Sequence, residues 1–129
     1  MKGRRSAGPQ EPWRDERRAR YRRGHFAEYA AALVLMLKGY RILGRRVATH
    51  AGEIDLIARR GRRIAFVEVK RRMSMADAEA SVTDRQRQRV RRAALLWIAK
   101  RPHYHHHEQG FDLMLCVPGA WPRHIENGL

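Results

Sequence analysis

The sequence predicts an α/β fold, a mixed β-sheet with helices against its faces, from the element order α-β-β-β-α-β. Apolar residues recur at helical spacing over residues 25–38 and again over residues 90–98. Between these two helices, residues 41–50, 53–59 and 64–70 read as strands. The 129 residues are enough for one domain that buries a core.

The chain is strongly basic. With 28 Lys and Arg against 13 Asp and Glu, its formal net charge is +15, which favours a polyanionic partner; a compositional bias towards arginine accounts for part of the excess. Cys116 is the single cysteine, which excludes an internal disulfide and fits a reducing compartment. The longest apolar run, Tyr29–Leu37, is too short to span a membrane, and we expect a cytoplasmic protein.

Residues 1–23 form a basic arm, which we expect to be partly disordered up to about Pro12. Such an arm suits a solvated tail or a sequence-independent contact with phosphates, and the two are compatible. The remaining residues, 24–129, are predicted to form the domain.

The first predicted helix covers residues 25–38 and ends before Gly39. Its one acid, Glu28, shares a side with Ala31, Ala32 and Leu35. An exposed glutamate is the usual outcome, and the residues alone leave the role of Glu28 undecided. The predicted buried face consists of Phe26, Tyr29, Ala30, Leu33, Val34 and Leu37.

The stretch Gly52–Arg72 reads as a β-hairpin. Gly61 stands where a two-residue type II′ turn needs a positive φ, so that Arg60 pairs with Arg63. Side chains are expected to alternate between the two faces of each strand. One face of the first strand then carries Glu53, Asp55 and Ile57, and the other carries Ile54, Leu56 and Ala58.

The same register places Asp55 across from Glu68, and Lys70 across from Glu53. Carboxylates about 5 Å apart repel unless a cation lies between them or one is protonated. Mg²⁺ takes one or two carboxylates together with water or phosphate oxygens, and Lys70 could position or activate a water. The simpler alternative is a surface hairpin in which Glu53, Glu68 and Lys70 form cross-strand ion pairs.

Residues 71–82 are expected to form a mobile loop, and Thr83 and Gln86 form a capping-box pattern at the start of the second helix. The predicted buried face of that helix is Val90, Ala93, Ala94, Trp97 and Ile98, and its other faces carry Arg85, Arg87, Arg89, Arg91 and Arg92. A helix surface that carries only positive charges is either solvated or a contact surface for a phosphate backbone.

Phe111–Val117 reads as a buried strand, and Arg123–Glu126 as a final edge strand. We interpret Asp112 as structural and Cys116 as a core thiol. His103 and His105–His107 lie in a polar loop, where adventitious binding of nickel or zinc is favoured over a functional site.

Asp55, followed by Glu68-x-Lys70 on the next strand, resembles the PD-(D/E)xK nuclease signature, although no proline precedes Asp55. The chain as a whole is similar to the YraN family, bacterial proteins related to restriction-endonuclease-like nucleases and similar in outline to archaeal Holliday-junction resolvases. The matching segments are Gly24-x-x-Ala27-Glu28, Lys38-Gly39-Tyr40-Arg41-Ile42-Leu43, Gly52-Glu53-Ile54-Asp55-Leu56-Ile57-Ala58, Phe66-Val67-Glu68-Val69-Lys70-x-Arg72, Gln86-Arg87 and Phe111-Asp112.

The resemblance implies a restriction-endonuclease-like core and a metal-dependent DNA endonuclease. Asp55 and Glu68 would bind Mg²⁺ or Mn²⁺, with the Val69 backbone carbonyl as a third ligand. Lys70 would act on the water, and Glu28 would assist from the first helix. The expected nucleic-acid contacts are Arg72, Arg85, Gln86, Arg87, Arg89 and Arg92.

Two other functions stay open. A protein of the same fold could bind DNA without cutting it, acting in repair, recombination or DNA uptake. A basic protein associated with RNA or the ribosome would bind RNA as well as DNA and ignore divalent metal. A homodimer is compatible with each of these functions.

Overall fold

The structure, a computed structural model, describes the backbone of residues 12–129 and the side chains of residues 25–129. The disorder predicted before Pro12 lies outside the described residues. The helices are α1 (Pro12–Leu37), α2 (Met75–Ala80) and α3 (Asp84–Ala99). The strands are β1 (Arg41–Thr49), β2 (Gly52–Arg60), β3 (Arg63–Arg71), β4 (Glu108–Cys116) and β5 (Arg123–Ile125), and a 3₁₀ turn covers Pro102–Tyr104.

The five strands form one mixed sheet in the order β1-β2-β3-β4-β5. β1, β2 and β3 form an antiparallel meander, β4 is parallel to β3, and β5 is antiparallel to β4. The parallel step needs a crossover connection, which α2 and α3 supply. The predicted α/β class is confirmed, and the arrangement is compatible with a restriction-endonuclease-like core. In the part of the chain that is described, no helix has the length and apolar character needed to cross a bilayer.

The hairpin forms in the predicted register. Arg60 pairs with Arg63, and Gly61 has a φ of +60°, which a glycine adopts without steric cost. The backbone pairing continues as far as Leu56 and Val67 and stops there. Asp55 is therefore the first residue of β2 beyond the paired ladder.

Both faces of the sheet are covered, as the sequence predicted. One core lies between the sheet and α3, and includes Phe66 and Trp97. The other lies between the sheet and α1, and includes Leu35 and Val67. The buried face of α3 is the predicted one: Val90, Ala93, Ala94, Trp97 and Ile98.

The alternation predicted for β2 fails at one position. Ile54 belongs to the same core as Ile57, whereas Leu56 belongs to the core beneath α1. Strand β1 also switches which face its side chains point to, and it does so opposite Asp55. The residue at that position of the register is Arg46, which has a φ of +50°. In both strands the alternation of side chains between the two faces therefore shifts at the same level, next to the candidate site.

The helix predicted over residues 25–38 is present, but its predicted buried face is wrong. Phe26 is 74% exposed and Leu37 is 72% exposed, and Ala30 and Val34 are only partly buried. The residues that pack on the sheet are instead Ala27, Ala31, Ala32 and Leu35, with Glu28 among them.

The predicted loop over residues 71–82 is also wrong in part. It contains α2, which Ser74 caps by accepting a hydrogen bond from the Asp77 N–H. Because Ala78 on this short helix is fully buried in the α3-side core, the segment is packed against the domain.

Candidate active site

Asp55 occupies the place where β2 and β3 stop pairing. Its Oδ2 atom accepts a hydrogen bond of 2.8 Å from the Val69 N–H. The N–H and C=O of a strand residue point to the same side of the strand, so the Val69 carbonyl is expected to face Asp55 as well. Its role as a third oxygen ligand stays a prediction.

The electrostatic surroundings of Asp55 are those of a crowded acidic site. Burial and the neighbouring Glu68 raise the pKa of Asp55 from its ordinary value of 3.8 to about 7. The hydrogen bond from Val69 acts in the opposite direction, and Glu28 and Glu53 add smaller increases to this pKa. A cation placed among these oxygens would relieve the repulsion.

Glu68 and Lys70 lie side by side on β3, and each is only 6% exposed. The Nζ atom of Lys70 is 3.5 Å from the Oε2 atom of Glu68. Lys70 was predicted to face Glu53, but the ion pair it forms in the described region is with Glu68 on its own strand. The difference follows from the end of the β2–β3 ladder before this level.

Arg89 reaches the same carboxylate from α3. Its Nη2 atom lies 3.4 Å from both Oε1 and Oε2 of Glu68. Gly52, with a φ of +129°, makes room for this side chain, because a Cβ atom there would lie 2.9 Å from the Arg89 Cδ. The Nε atom of Arg89 is buried without a hydrogen-bond partner.

Glu28 approaches from the other side of the sheet and is 9% exposed. Arg46 holds it, with Nε at 2.9 Å and 3.1 Å from the two carboxylate oxygens. Sequence reasoning missed Arg46. The signal that could have revealed it is the single acid among the alanines of residues 25–37, because a carboxylate buried there needs a cation.

The other predicted nucleic-acid contacts do not converge on this cluster. Gln86 accepts a hydrogen bond from the Thr83 N–H in the predicted capping box, and Arg87 pairs with Asp84 at 2.7 Å. Arg72, Arg85 and Arg92 are exposed, with Arg72 donating a hydrogen bond to the Arg71 carbonyl. Arg89, expected at a phosphate, is the member of this set that contacts the site.

Asp112 is fully buried and structural, as its position suggested. Arg63 binds it through two hydrogen bonds of 2.7 Å and 2.8 Å, and His124 and the Asn127 N–H contact it at 2.8 Å and 2.9 Å. These donors outweigh burial and hold the pKa of Asp112 well below its ordinary range. The network joins β3, β4 and the C-terminal segment.

The donor set suits a hard cation with a partly solvated shell. Across residues 25–129, no three side chains from His, Cys, Asp and Glu are grouped closely enough to hold a metal on their own. Asp55 and Glu68 would need the Val69 carbonyl, water or phosphate oxygens to complete the ligands, which is the manner in which Mg²⁺ is commonly bound.

In the histidine loop, the Nε2 atom of His105 lies 3.1 Å from the Ile98 carbonyl oxygen.

Comparison with known proteins places similar chains in one bacterial group. The family model described as uncharacterised protein family UPF0102 matches residues 27–116. A UPF0102 protein of Rhizobium meliloti is 50% identical over 104 residues, 81% of this chain and 85% of the relative. Another, from Bradyrhizobium diazoefficiens, is 52% identical over 110 residues, 85% of this chain and 83% of the relative. The matched region contains Glu28, Asp55, Glu68 and Lys70.

Proposed function

The chain belongs to the uncharacterised protein family UPF0102, and we propose that it is a divalent-metal-dependent endonuclease that hydrolyses phosphodiester bonds in DNA. The observation that carries this proposal is the pairing of Glu68 with Lys70 near Asp55, the pKa of which Glu68 raises, where the β2–β3 ladder ends. Glu68 and Lys70 are both buried there, 3.5 Å apart. Burying charged groups is costly unless they are paired or bind a metal.

Each residue has a role that its position supports. Asp55 and Glu68 hold Mg²⁺ or Mn²⁺, with the Val69 carbonyl beside them. Bound metal supplies polarisation of the phosphate and a lowered pKa of the attacking water. Lys70 holds that water next to Glu68, and Glu28, through its carboxylate on the inner side of α1, adds to the negative field around Asp55.

The positive charge supports a nucleic-acid substrate. The chain carries +15 overall, and the exposed Arg85 and Arg92 lie on α3, the helix that sends Arg89 to Glu68. These arginines would attract a phosphate backbone independently of sequence and would hold it beside the carboxylates. Selectivity for branched or flapped DNA is part of the proposal, by resemblance to junction-cutting nucleases.

The test is a cleavage assay on labelled linear, flapped and four-way-junction DNA with Mn²⁺, Mg²⁺ or EDTA. We expect metal-dependent cutting of at least one substrate, and its loss in Glu68→Gln. Glu79→Gln is the matched control, because Glu79 is an exposed acid on α2. Absence of cleavage of all three substrates with both metals would contradict the proposal.

One observation favours a second candidate, a DNA- or RNA-binding protein of this fold that does not cut. Glu68 already has two cations, Lys70 and Arg89, and Glu28 has Arg46. A site whose carboxylates are neutralised internally can remain stable without metal. For this candidate we expect binding that EDTA leaves unchanged and RNA affinity comparable to that for DNA.

A further inference from the structure

The outer face of α1 carries the largest exposed apolar side chains of the described helices. Phe26 is 74% exposed, Tyr29 56%, Leu33 44%, Met36 52% and Leu37 72%. Monomeric proteins rarely expose contiguous apolar patches larger than a few hundred Å². We call these five residues the α1 stripe.

The inner face of the same helix consists mostly of small residues. Ala27, Ala31 and Ala32 pack on the sheet at 0–7% exposure, together with the fully buried Leu35. Most of the large apolar side chains of residues 25–37 lie outside and the small ones inside, which is the reverse of the ordinary arrangement. The large residues of α1 are therefore placed for a contact outside this domain.

The spacing of the stripe indicates what makes that contact. Phe26, Tyr29, Leu33 and Met36 are separated by three, four and three residues, which is the a/d pattern of a heptad repeat. A stripe with this spacing is complementary to another helix. A partner with a flat surface or an extended peptide would not require heptad spacing.

A groove lies next to the α1 stripe. It has a volume of about 950 Å³ and is bounded by α1 and by the loop over residues 117–122, where Trp121 is 73% exposed. Phe26, Tyr29 and Leu33 of the α1 stripe form one wall of this groove. A second copy, turned by a two-fold axis, could place its α1 stripe in this groove and receive the first stripe in its own.

The charge of this face also suits a second copy. Residues 25–37 contain no Lys or Arg, although the chain has 28 of them. Two molecules with a net charge of +15 repel, so copies approach at lower cost on a helix segment that itself carries no Lys or Arg. Two arginines border this segment, with Arg45 lying 4.6 Å from the centre of the Tyr29 ring and Arg71 lining the groove.

From these features we infer that the protein forms a symmetric dimer in which the α1 stripes and the 117–122 loops of two copies pack against each other. The three aromatic side chains of this surface would bury roughly 300–500 Å² per copy at their observed exposures. Leu33, Met36 and Leu37 bring the total towards the roughly 800 Å² per partner of a standard interface.

The test is the mass of the full chain in solution. Nuclease-treated protein is studied in 0.5 M NaCl by sedimentation equilibrium from about 1 to 100 μM, so that bridging nucleic acid is absent. We expect a dimer, and for Leu33→Glu a dissociation constant raised at least thirtyfold, the effect of losing one hot-spot side chain. Leu95→Glu is the matched control, because Leu95 is 63% exposed on α3, and it should dimerise like wild type.

Trp121→Ser provides a second variant in a loop, where helix stability is not affected, and it should also weaken the dimer. Circular dichroism shows whether each variant is folded. Wild type that stays monomeric at 100 μM overturns the inference, as does a dimer that neither Leu33→Glu nor Trp121→Ser weakens. A dimer weakened equally by Leu95→Glu would place the contact elsewhere and overturn it too.

Discussion

Asp55 and Val69 are joined by a hydrogen bond in which a side-chain oxygen replaces a backbone acceptor, just beyond the last paired residues of β2 and β3. The ladder ends there, yet the Val69 N–H stays satisfied. This exchange of acceptors ends the pairing without leaving the Val69 donor unpaired, and an unpaired buried donor costs about 1–3 kcal/mol. The end of the ladder and the Asp55 carboxylate belong to one structural feature.

Asp55→Asn should stabilise the metal-free protein at pH 8 and have little effect at pH 4. The folded-state pKa of about 7 lies above the ordinary 3.8, so ionisation of Asp55 opposes folding. Wild-type stability should therefore fall, relative to the variant, as pH rises from about 4 to 7. Thermal unfolding in EDTA across this range measures the difference, with Glu79→Gln as an exposed control. A difference independent of pH would contradict the prediction.

Mn²⁺ should raise the unfolding temperature of wild type, and Glu68→Gln should abolish most of the increase. A ligand that binds only the folded state stabilises it by about 2.7 kcal/mol at a concentration a hundred times its dissociation constant. Differential scanning calorimetry with increasing Mn²⁺ tests this, with Glu79→Gln beside it. An identical Mn²⁺ response in Glu68→Gln would remove Glu68 from the metal site.

Arg89→Gln should increase the apparent affinity for Mn²⁺ about three- to tenfold in the absence of DNA. The guanidinium lies 3.4 Å from both Glu68 oxygens and competes there with any other cation, an effect of about 1 kcal/mol for a partly exposed pair. Isothermal titration at low ionic strength measures the change. Arg92→Gln, the same substitution on an exposed part of α3, should leave the affinity within twofold of wild type.

Lys70→Arg should reduce cleavage about a hundredfold or more while DNA binding is retained. Arginine keeps the positive charge beside Glu68, but it does not give up a proton at accessible pH, and its planar group places donors differently. Single-turnover cleavage measures the first effect, and binding in Ca²⁺ measures the second. Near-normal cleavage by the variant would reduce Lys70 to charge neutralisation.

Arg85→Gln combined with Arg92→Gln should weaken DNA binding and make it less dependent on salt. Each lost phosphate contact lowers the slope of log K against log salt concentration by about 0.9. Arg123→Gln, on β5, is the control for a general loss of charge. An unchanged slope in the double variant would mean that α3 does not contact the backbone. Arg87 is left intact because Asp84 already binds it.

The sequence predicted elements best where a single face of the chain is buried. All five core residues of α3 were identified, because its apolar positions have one helical period and one neighbour, the sheet. The hairpin register followed from Gly61 and from strict alternation. Both arguments depend on local spacing alone.

The failures have a common physical cause. On α1, size and hydrophobicity pointed to Phe26 and Leu37 as the buried side, but burial is decided by the space that the neighbouring surface leaves, and it is filled there by three alanines and Leu35. The face reversal at Asp55 depends on the positive φ of Arg46, a conformation that local sequence does not specify. The contact of Arg89 with Glu68 was missed because its sequence neighbours do not reveal that Gly52 leaves it a path to that carboxylate, and its contact with phosphate stays a prediction.

The alanines on the inner face of α1 determine the distance between the helix axis and the sheet. Ala27, Ala31 and Ala32 bring the helix axis close to the sheet, and Glu28 sits among them. A larger residue such as Leu at position 31 would either overpack the core, at about 1–3 kcal/mol, or lift the helix and carry the Glu28 carboxylate away from Asp55. The methyl groups of these alanines take no part in chemistry. Their small size nevertheless determines how close the Glu28 carboxylate on α1 lies to Asp55 in the sheet.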